Sequence, residues 1–298
     1  MNQVKRPIIG VALMLGAMAV LPGIDVIAKL LGQQGMPILQ VVWARLALGA
    51  LMTLPFALRI AGPKALWPDR PWYHTLRAAF LVAATFFFFL SLKWLPIADA
   101  LAIFFVQPLI LTAISPFMLG EKVGPRRWAA VAVGFVGTLI IIRPGSQHLD
   151  WTVLLPLMLV GTNSGFQLLT SKMAKTEDPI TTHFYTGWIG TAMASLLLPF
   201  VWEMPADWTV WLQLLLMGVL ASIGHFLLIL AYGRTPAATL TPYLYTQIGF
   251  AVLGGWVVFD HLPDQWTFAG MALVALCGAL GAWLTVRENR IAIQPPES

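Results

Sequence analysis

Ten apolar runs of 18 to 25 residues follow one another along this chain, separated only by short connections. They fall at about residues 8–31, 37–60, 72–93, 97–118, 126–143, 151–173, 180–202, 208–232, 236–258 and 266–286. At about 1.5 Å of rise per residue, a helix of that length crosses the roughly 30 Å hydrocarbon core of a bilayer. Lipid offers the backbone no hydrogen-bond partners, so spanning segments are helices or closed-barrel strands, and strands need only about 9–11 residues. The chain therefore reads as an all-α membrane protein with ten transmembrane helices. Composition agrees: 58% of the residues are apolar and 10% are charged, against about 25% charged in soluble domains. The net charge of +5 does not point to nucleic acid, because the basic residues stand singly or in pairs between apolar runs. A single cysteine, Cys277, excludes an intrachain disulfide. Lys5 and Arg6 before the first run mimic a signal peptide. That run continues to about Leu31, however, and a signal core has about 7–15 residues. We expect an uncleaved first span.

The two halves share an outline. Residues 96–144 and 236–284 align without a gap at a shift of 140, bringing Pro96 onto Pro236, Ala98 onto Ala238 and Gln107 onto Gln247. Only five of the 49 pairs are identical. The weight rests on two spans, one turn and one mid-span glutamine falling in register. The expected division is 1–144 and 145–298, five helices each. Five is odd, so the second copy enters the membrane upside down, the plan of inverted-repeat transporters with a site near the midplane. Charge fits this. With the N-terminus cytoplasmic, 13 Lys and Arg fall in cytoplasmic segments and 3 in outer ones, so both termini are expected inside. The basic turn Glu121-Lys122-Val123-Gly124-Pro125-Arg126-Arg127 is then inside, and its uncharged-to-acidic counterpart, Asp260-His261-Leu262-Pro263-Asp264, is outside. Trp67, Trp72 and Trp128 fall near inner ends, and Trp94, Trp151, Trp202, Trp208 and Trp266 near outer ends, as interfacial belts require.

In a bilayer the polar residues carry the information, because burying one without a partner is costly. Gln107 and Gln247 lie mid-span as symmetry mates, and Tyr243 precedes Gln247 by four, on the same helical face. They either line a substrate cavity or join helices by hydrogen bonds. Span 6 carries Asn163, Gln167 and Thr170 at helical spacing, with Gly161 and Gly165 offering a face for close helix approach. His225 in span 8 suits a substrate carboxylate or a proton relay, or is a neutral ring bonded within the bundle. Asp25, with Lys29 one turn on and Arg45 at similar depth in span 2, is either part of an ion pair or a gate or cation-coupling group. Asp99 stands in the first turn of span 4, where negative charge suits the helix dipole. Pro108 and Pro242 are expected to bend spans 4 and 9 beside the site. Gly134, Gly137, Gly278 and Gly281 read as packing notches, and Phe86 to Phe89 as lipid- and core-facing bulk.

Motifs for catalysis are missing: there is no HExxH, no GxSxG and no P-loop. Neither an enzyme nor an ATP-driven pump is expected, and no cofactor or metal is called for. A lipid-modifying membrane enzyme and a non-transporting scaffold or sensor stand as lesser readings.

One family resemblance follows from these residues. Ala100 to Pro108, then Leu119-Gly120-Glu121-Lys122-Val123-Gly124-Pro125-Arg126-Arg127-Trp128, Gly134 to Gly137, and Ile141-Ile142-Arg143-Pro144-Gly145 resemble the first-repeat signature of the drug/metabolite transporter superfamily, EamA-type branch. The second copy departs from it, with Asp260-His261 where Gly-Glu is typical. The resemblance implies ten helices in two inverted halves around a central cavity, in a bacterial inner membrane. It implies transport of a small molecule by alternating access without ATP, with proton coupling as one option. Amino-acid export or exchange is the leading expectation, and uptake of an S-adenosylmethionine-like metabolite or efflux of a cationic drug is the alternative. The substrate-site residues would be Gln107, Asn163, His225, Tyr243 and Gln247, with Asp25 and Arg45 as gate or coupling groups. Partners are the bilayer and the small-molecule substrate; no oligomeric state is implied.

Overall fold

A computed structural model describes residues 7–60, 62, 70–107, 109, 110, 114, 124–142, 151–173, 179–205, 207–234, 240 and 243–293. Ten α-helices have described bounds, and no strand occurs among the described residues. They are α1 (Pro7–Gln33), α2 (Ile38–Ile60), α3 (Pro71–Ser91), α4 (Ile97–Phe104), α5 (Pro125–Ile142), α6 (Leu154–Met173), α7 (Pro179–Leu197), α8 (Trp208–Arg234), α9 (Thr246–Phe259) and α10 (Gln265–Ile293). Five segments are long and apolar enough to cross a membrane by themselves: Ile8–Gln33, Ile38–Arg59, Pro71–Ser91, Trp151–Thr170 and Trp208–Leu228.

Local chemistry sets the boundaries. α1, α3, α5 and α7 each begin on a proline, whose fixed φ and missing N–H suit a first helical position. α1 stops at Gly35, which takes φ 87° while the Met36 N–H turns back to the Leu31 carbonyl at 3.0 Å. α9 stops at Asp260, left-handed at φ 50°, a conformation Asp tolerates better than most residues.

The helix pairings exchange in sets when each helix is replaced by the one five places on. α1 packs on α8 as α6 packs on α3, and α2 packs on α8 as α7 packs on α3. α1 meets α9 as α6 meets α4. α2 with α7, α4 with α9, and α5 with α10 are each their own counterpart. Contacts give the directions. Gly134 faces Cys277 and Gly137 faces Val274, while Gly270 faces Ile141, so α5 and α10 are antiparallel. Leu46 lies by Gly190 and Ala50 by Gly187, so α2 and α7 are antiparallel too. Leu48 lies by Gly218 and Phe56 by Phe226, so α2 and α8 run parallel. Their counterparts α7 and α3 do the same, with Val82 by Gly190 and His74 by Tyr185. Pro125 and Gln265, the starts of α5 and α10, therefore lie at opposite ends of the bundle. Glu121 to Val123, Arg143 to Gly145, Pro108 and Pro242 lie outside the described residues.

One end is tied by polar contacts. Gln40, fully buried at the start of α2, donates from Nε2 to the Glu203 carbonyl at 2.9 Å. Its Oε1 accepts the Glu203 N–H at 3.0 Å. Lys29 Nζ donates to the carbonyls of Leu92 and Leu95 at 3.0 and 2.6 Å, closing the C-terminal end of α3. Trp94 meets Trp151, and Trp43 meets Trp202, at this same end. Replacing Gln40 by Leu strands both Glu203 backbone groups. We expect a loss of about 2 kcal/mol, read as a lower unfolding midpoint in detergent.

Arg77 is the structural counter-example to a site residue. It is 6% exposed in the second turn of α3, with its Nε on Thr170 Oγ1 of α6 at 2.6 Å. Its Nη1 donates to the Thr182 carbonyl at 3.2 Å and to Thr186 Oγ1 of α7. Its guanidinium lies 4.3 Å over the Phe166 ring. One buried charge thus joins three helices through oxygens and an aromatic face.

Candidate functional site

A cavity of about 140 Å³ opens between α1, α2, α3, α4, α6, α8 and the start of α9. Its polar wall is Asp25, Arg45, Thr85, Asn163, His225 and Gln247. Leu21, Ile24, Leu81, Ala84, Phe88, Leu101, Phe104 and Leu159 complete it. A wider recess of about 500 Å³ lies where α1 turns into α2, lined by Gly32, Gly35 to Ile38, Lys93 and Phe200 to Glu203. It is formed by connections and helix ends, and no residue of α4, α6, α8 or α9 reaches it, so it is a surface feature.

Five of the seven residues expected from the sequence meet at the central cavity: Asp25, Arg45, Asn163, His225 and Gln247. Gln107 does not line it. It is buried behind the wall and donates from Nε2 to Asn163 Oδ1 at 2.7 Å. That bond uses Oδ1 of Asn163, itself a wall residue, as the acceptor and makes no use of its NH₂ donors. Tyr243 is a correction. It packs against the cluster of Met14, Ala17, Met18, Ala231 and Leu240 and is not among the residues that line the cavity. The expected shared face with Gln247 assumed an unbroken helix, but the chain turns at Tyr245 before α9 begins at Thr246.

The matching interruption in the first half comes at Phe105 and Val106, after α4 ends at Phe104. At the 140-residue shift Phe105 falls on Tyr245, and their rings lie 5.4 Å apart. The two breaks thus face each other, each two residues before a glutamine.

The other placements divide. The span 6 stripe splits: Asn163 lines the cavity, Thr170 holds Arg77, and Gln167 is exposed. Gly165 meets Phe80 closely, whereas Gly161 faces nothing within 4 Å. Neither expected ion pair forms. Lys29 is engaged with α3 carbonyls, and no contact within 4.0 Å joins Asp25 to Arg45 among the described residues. Arg45 instead donates from Nη1 to Thr85 Oγ1 at 2.8 Å and lies 5.6 Å over the Phe89 ring. Phe88, expected as bulk, is a cavity wall residue. His225 has its Nδ1 2.8 Å from the Ala221 carbonyl, which makes Nδ1 the donor and leaves Nε2 as an acceptor.

Sequence reasoning missed His183 and Thr85. The His183 ring stacks on His225, with centroids 5.3 Å apart and planes at 26°. His183 sat near a span end and carried no partner signal in the sequence. Thr85 is an ordinary residue within an apolar helix until Arg45 is placed beside it.

Comparison with known proteins adds a family. Residues 8–143 match the model of the EamA-like transporter family. The chain is similar to the riboflavin transporter of Vibrio cholerae serotype O1, at 28% identity over 87% of each chain. It is 31% identical to the riboflavin transporter of Rhizobium johnstonii, over 81% of this chain and 78% of that one. The S-adenosylmethionine uptake transporter of Rickettsia prowazekii is 26% identical over 84% of each chain. A solved crystal structure with 18% identity superposes at a TM-score of 0.64, covering 93% of this chain and 98% of that one, and so shares the fold.

Proposed function

The chain belongs to the EamA-like transporter family, and from that we propose that it is a secondary transporter of a nitrogen-heterocyclic metabolite bearing a polar chain, of flavin or adenosyl type, in a bacterial inner membrane. The amino-acid export implied by resemblance gives way, because the relatives above carry riboflavin and S-adenosylmethionine in their names. Flat heterocycles suit a wall that combines Phe88 and Phe104 with the amides of Asn163 and Gln247. The observation that carries the reading is the cavity itself, enclosed by helices from both halves and holding polar groups from α1, α2, α3, α6, α8 and α9.

Alternating access between two inverted five-helix halves, 1–144 and 145–298, is the mechanism we infer. The exchange of helix pairings, with matching directions, supports it. So does the meeting of Phe105 and Tyr245 where the two halves join. At about 140 Å³ the cavity is smaller than the roughly 300–1,000 Å³ of typical ligand pockets. A whole flavin or adenosyl metabolite therefore requires the cavity to widen as the halves part. The orientation with both termini inside draws support from the bundle ends. Arg70 and Arg126 at the starts of α3 and α5 share an end with Arg59 and Arg234, and Lys29 and Lys93 lie at the other.

Counterflow in proteoliposomes tests the reading. Vesicles loaded with unlabelled riboflavin or S-adenosylmethionine should accumulate the labelled compound transiently, and protein-free vesicles should not. Exchange of phenylalanine alone, with neither heterocyclic compound moving, overturns it.

A further inference from the structure

Four charged side chains stand well inside the helices α1 to α3: Asp25, Lys29, Arg45 and Arg77. Lys29 is spent on two carbonyls, and Arg77 on three oxygens and a ring. Asp25 and Arg45 differ. Asp25 is 7% exposed, and among the described residues its carboxylate has neither a hydrogen bond nor an ion pair. Arg45 has one hydroxyl partner for its five N–H donors. Both line the same small cavity. Opposite charges buried in one bilayer-spanning bundle normally pair, because each alone is costly. These two face a shared space without touching. Around them stand donors and acceptors of neutral type: the Asn163 NH₂, the Gln247 amide and His225 Nε2.

We propose that Asp25 and Arg45 form a clamp for a zwitterion, with the ammonium of the substrate on Asp25 and its carboxylate on Arg45. The inference rests on the transport reading above and narrows it. The substrate class is a heterocyclic metabolite ending in an α-amino acid group, as S-adenosylmethionine does and riboflavin does not. Size agrees, because about 140 Å³ falls well below the roughly 300–1,000 Å³ of pockets that hold a whole small-molecule ligand. That is room for a charged headgroup, not for a complete metabolite. Phe88 and Phe104 form the apolar side toward which the heterocycle extends when the cavity widens.

Binding of three ligands to detergent-purified protein tests the clamp: S-adenosylmethionine, decarboxylated S-adenosylmethionine, and 5′-methylthioadenosine, which lacks the amino-acid group altogether. Asp25→Asn and Arg45→Gln should each weaken S-adenosylmethionine by about 30-fold or more, the range for truncating one partner of a buried charge pair. Arg45→Gln should cost the decarboxylated ligand far less, and both variants should cost methylthioadenosine far less. Asp25→Glu and Arg45→Lys keep the charges and guard against loss of fold; they should retain the preference for the zwitterion. Equal losses for all three ligands overturn the clamp. So does a wild-type protein that binds methylthioadenosine or riboflavin more tightly than S-adenosylmethionine. Counterflow separates the two ideas: exchange of riboflavin with no exchange of S-adenosylmethionine sinks the clamp and leaves the transport reading intact.

Discussion

Replacing Gly270 by Ala should lower the stability of the bundle by about 1–3 kcal/mol, and replacement by Leu should cost more. A Cβ at Gly270 would lie 2.5 Å from Ile141 Cγ1 and 2.8 Å from the Gly137 carbonyl oxygen. The isoleucine can rotate aside. The carbonyl belongs to the backbone of α5 and moves only if α5 moves. Gly137 is also close from the other side, its Cβ position 3.2 Å from the Gly270 carbonyl oxygen, so the two helices touch main chain to main chain. Gly249 supplies the contrast. Nothing lies within 4 Å of its Cβ position, and Gly249→Ala should be neutral or stabilising by up to about 1 kcal/mol through helix propensity. The check is the midpoint of heat-induced unfolding of both variants in the same detergent. Equal midpoints would mean that α5 and α10 do not cross where they do here.

Transport should fall by about tenfold or more in Asn163→Leu, the cost of losing a polar contact in a water-poor site. Gln107→Leu should reduce it as well, though Gln107 does not reach the cavity. Its amide donates to Asn163 Oδ1 and sets which face of that side chain looks inward. The two changes act through one contact, so the double variant should be no worse than Asn163→Leu alone. Initial rates over a range of substrate, normalised to reconstituted protein, distinguish the cases. Full additivity would place Gln107 and Asn163 in separate roles.

Much of this was legible in the residues because bilayers leave few options. Long apolar runs must be helices, prolines at 7, 71, 125 and 179 open four of them, and a buried polar residue needs a reason. Asp25, Arg45, Asn163, His225 and Gln247 stood out on those grounds and converge on one cavity. The errors have a common cause. Tyr243 was placed by counting along an ideal helix, and the turn at Tyr245 altered the count. Spacing and depth offer Asp25 both Lys29 and Arg45 as ion-pair partners, yet Lys29 reaches carbonyls more than sixty residues away and Arg45 bonds Thr85. Gly161 was paired with Gly165, although only the latter meets another helix.

The sequence alone decided that the chain lives in lipid, how many times it runs apolar, and which few side chains are worth burying there. Those follow from solvation free energies, which are local to each residue and sum along the chain. Only the tertiary structure decided which charges find oxygens and which are left facing a cavity. Partner choice depends on distances across helices, and helices meet where glycines permit, at positions that no linear spacing encodes. Arg45 and Arg77 are the same residue type on neighbouring helices, Arg77 buried and Arg45 half-buried. One is held by Thr170, Thr182 and Thr186, and the other stands with Thr85 at the edge of an open space opposite Asp25.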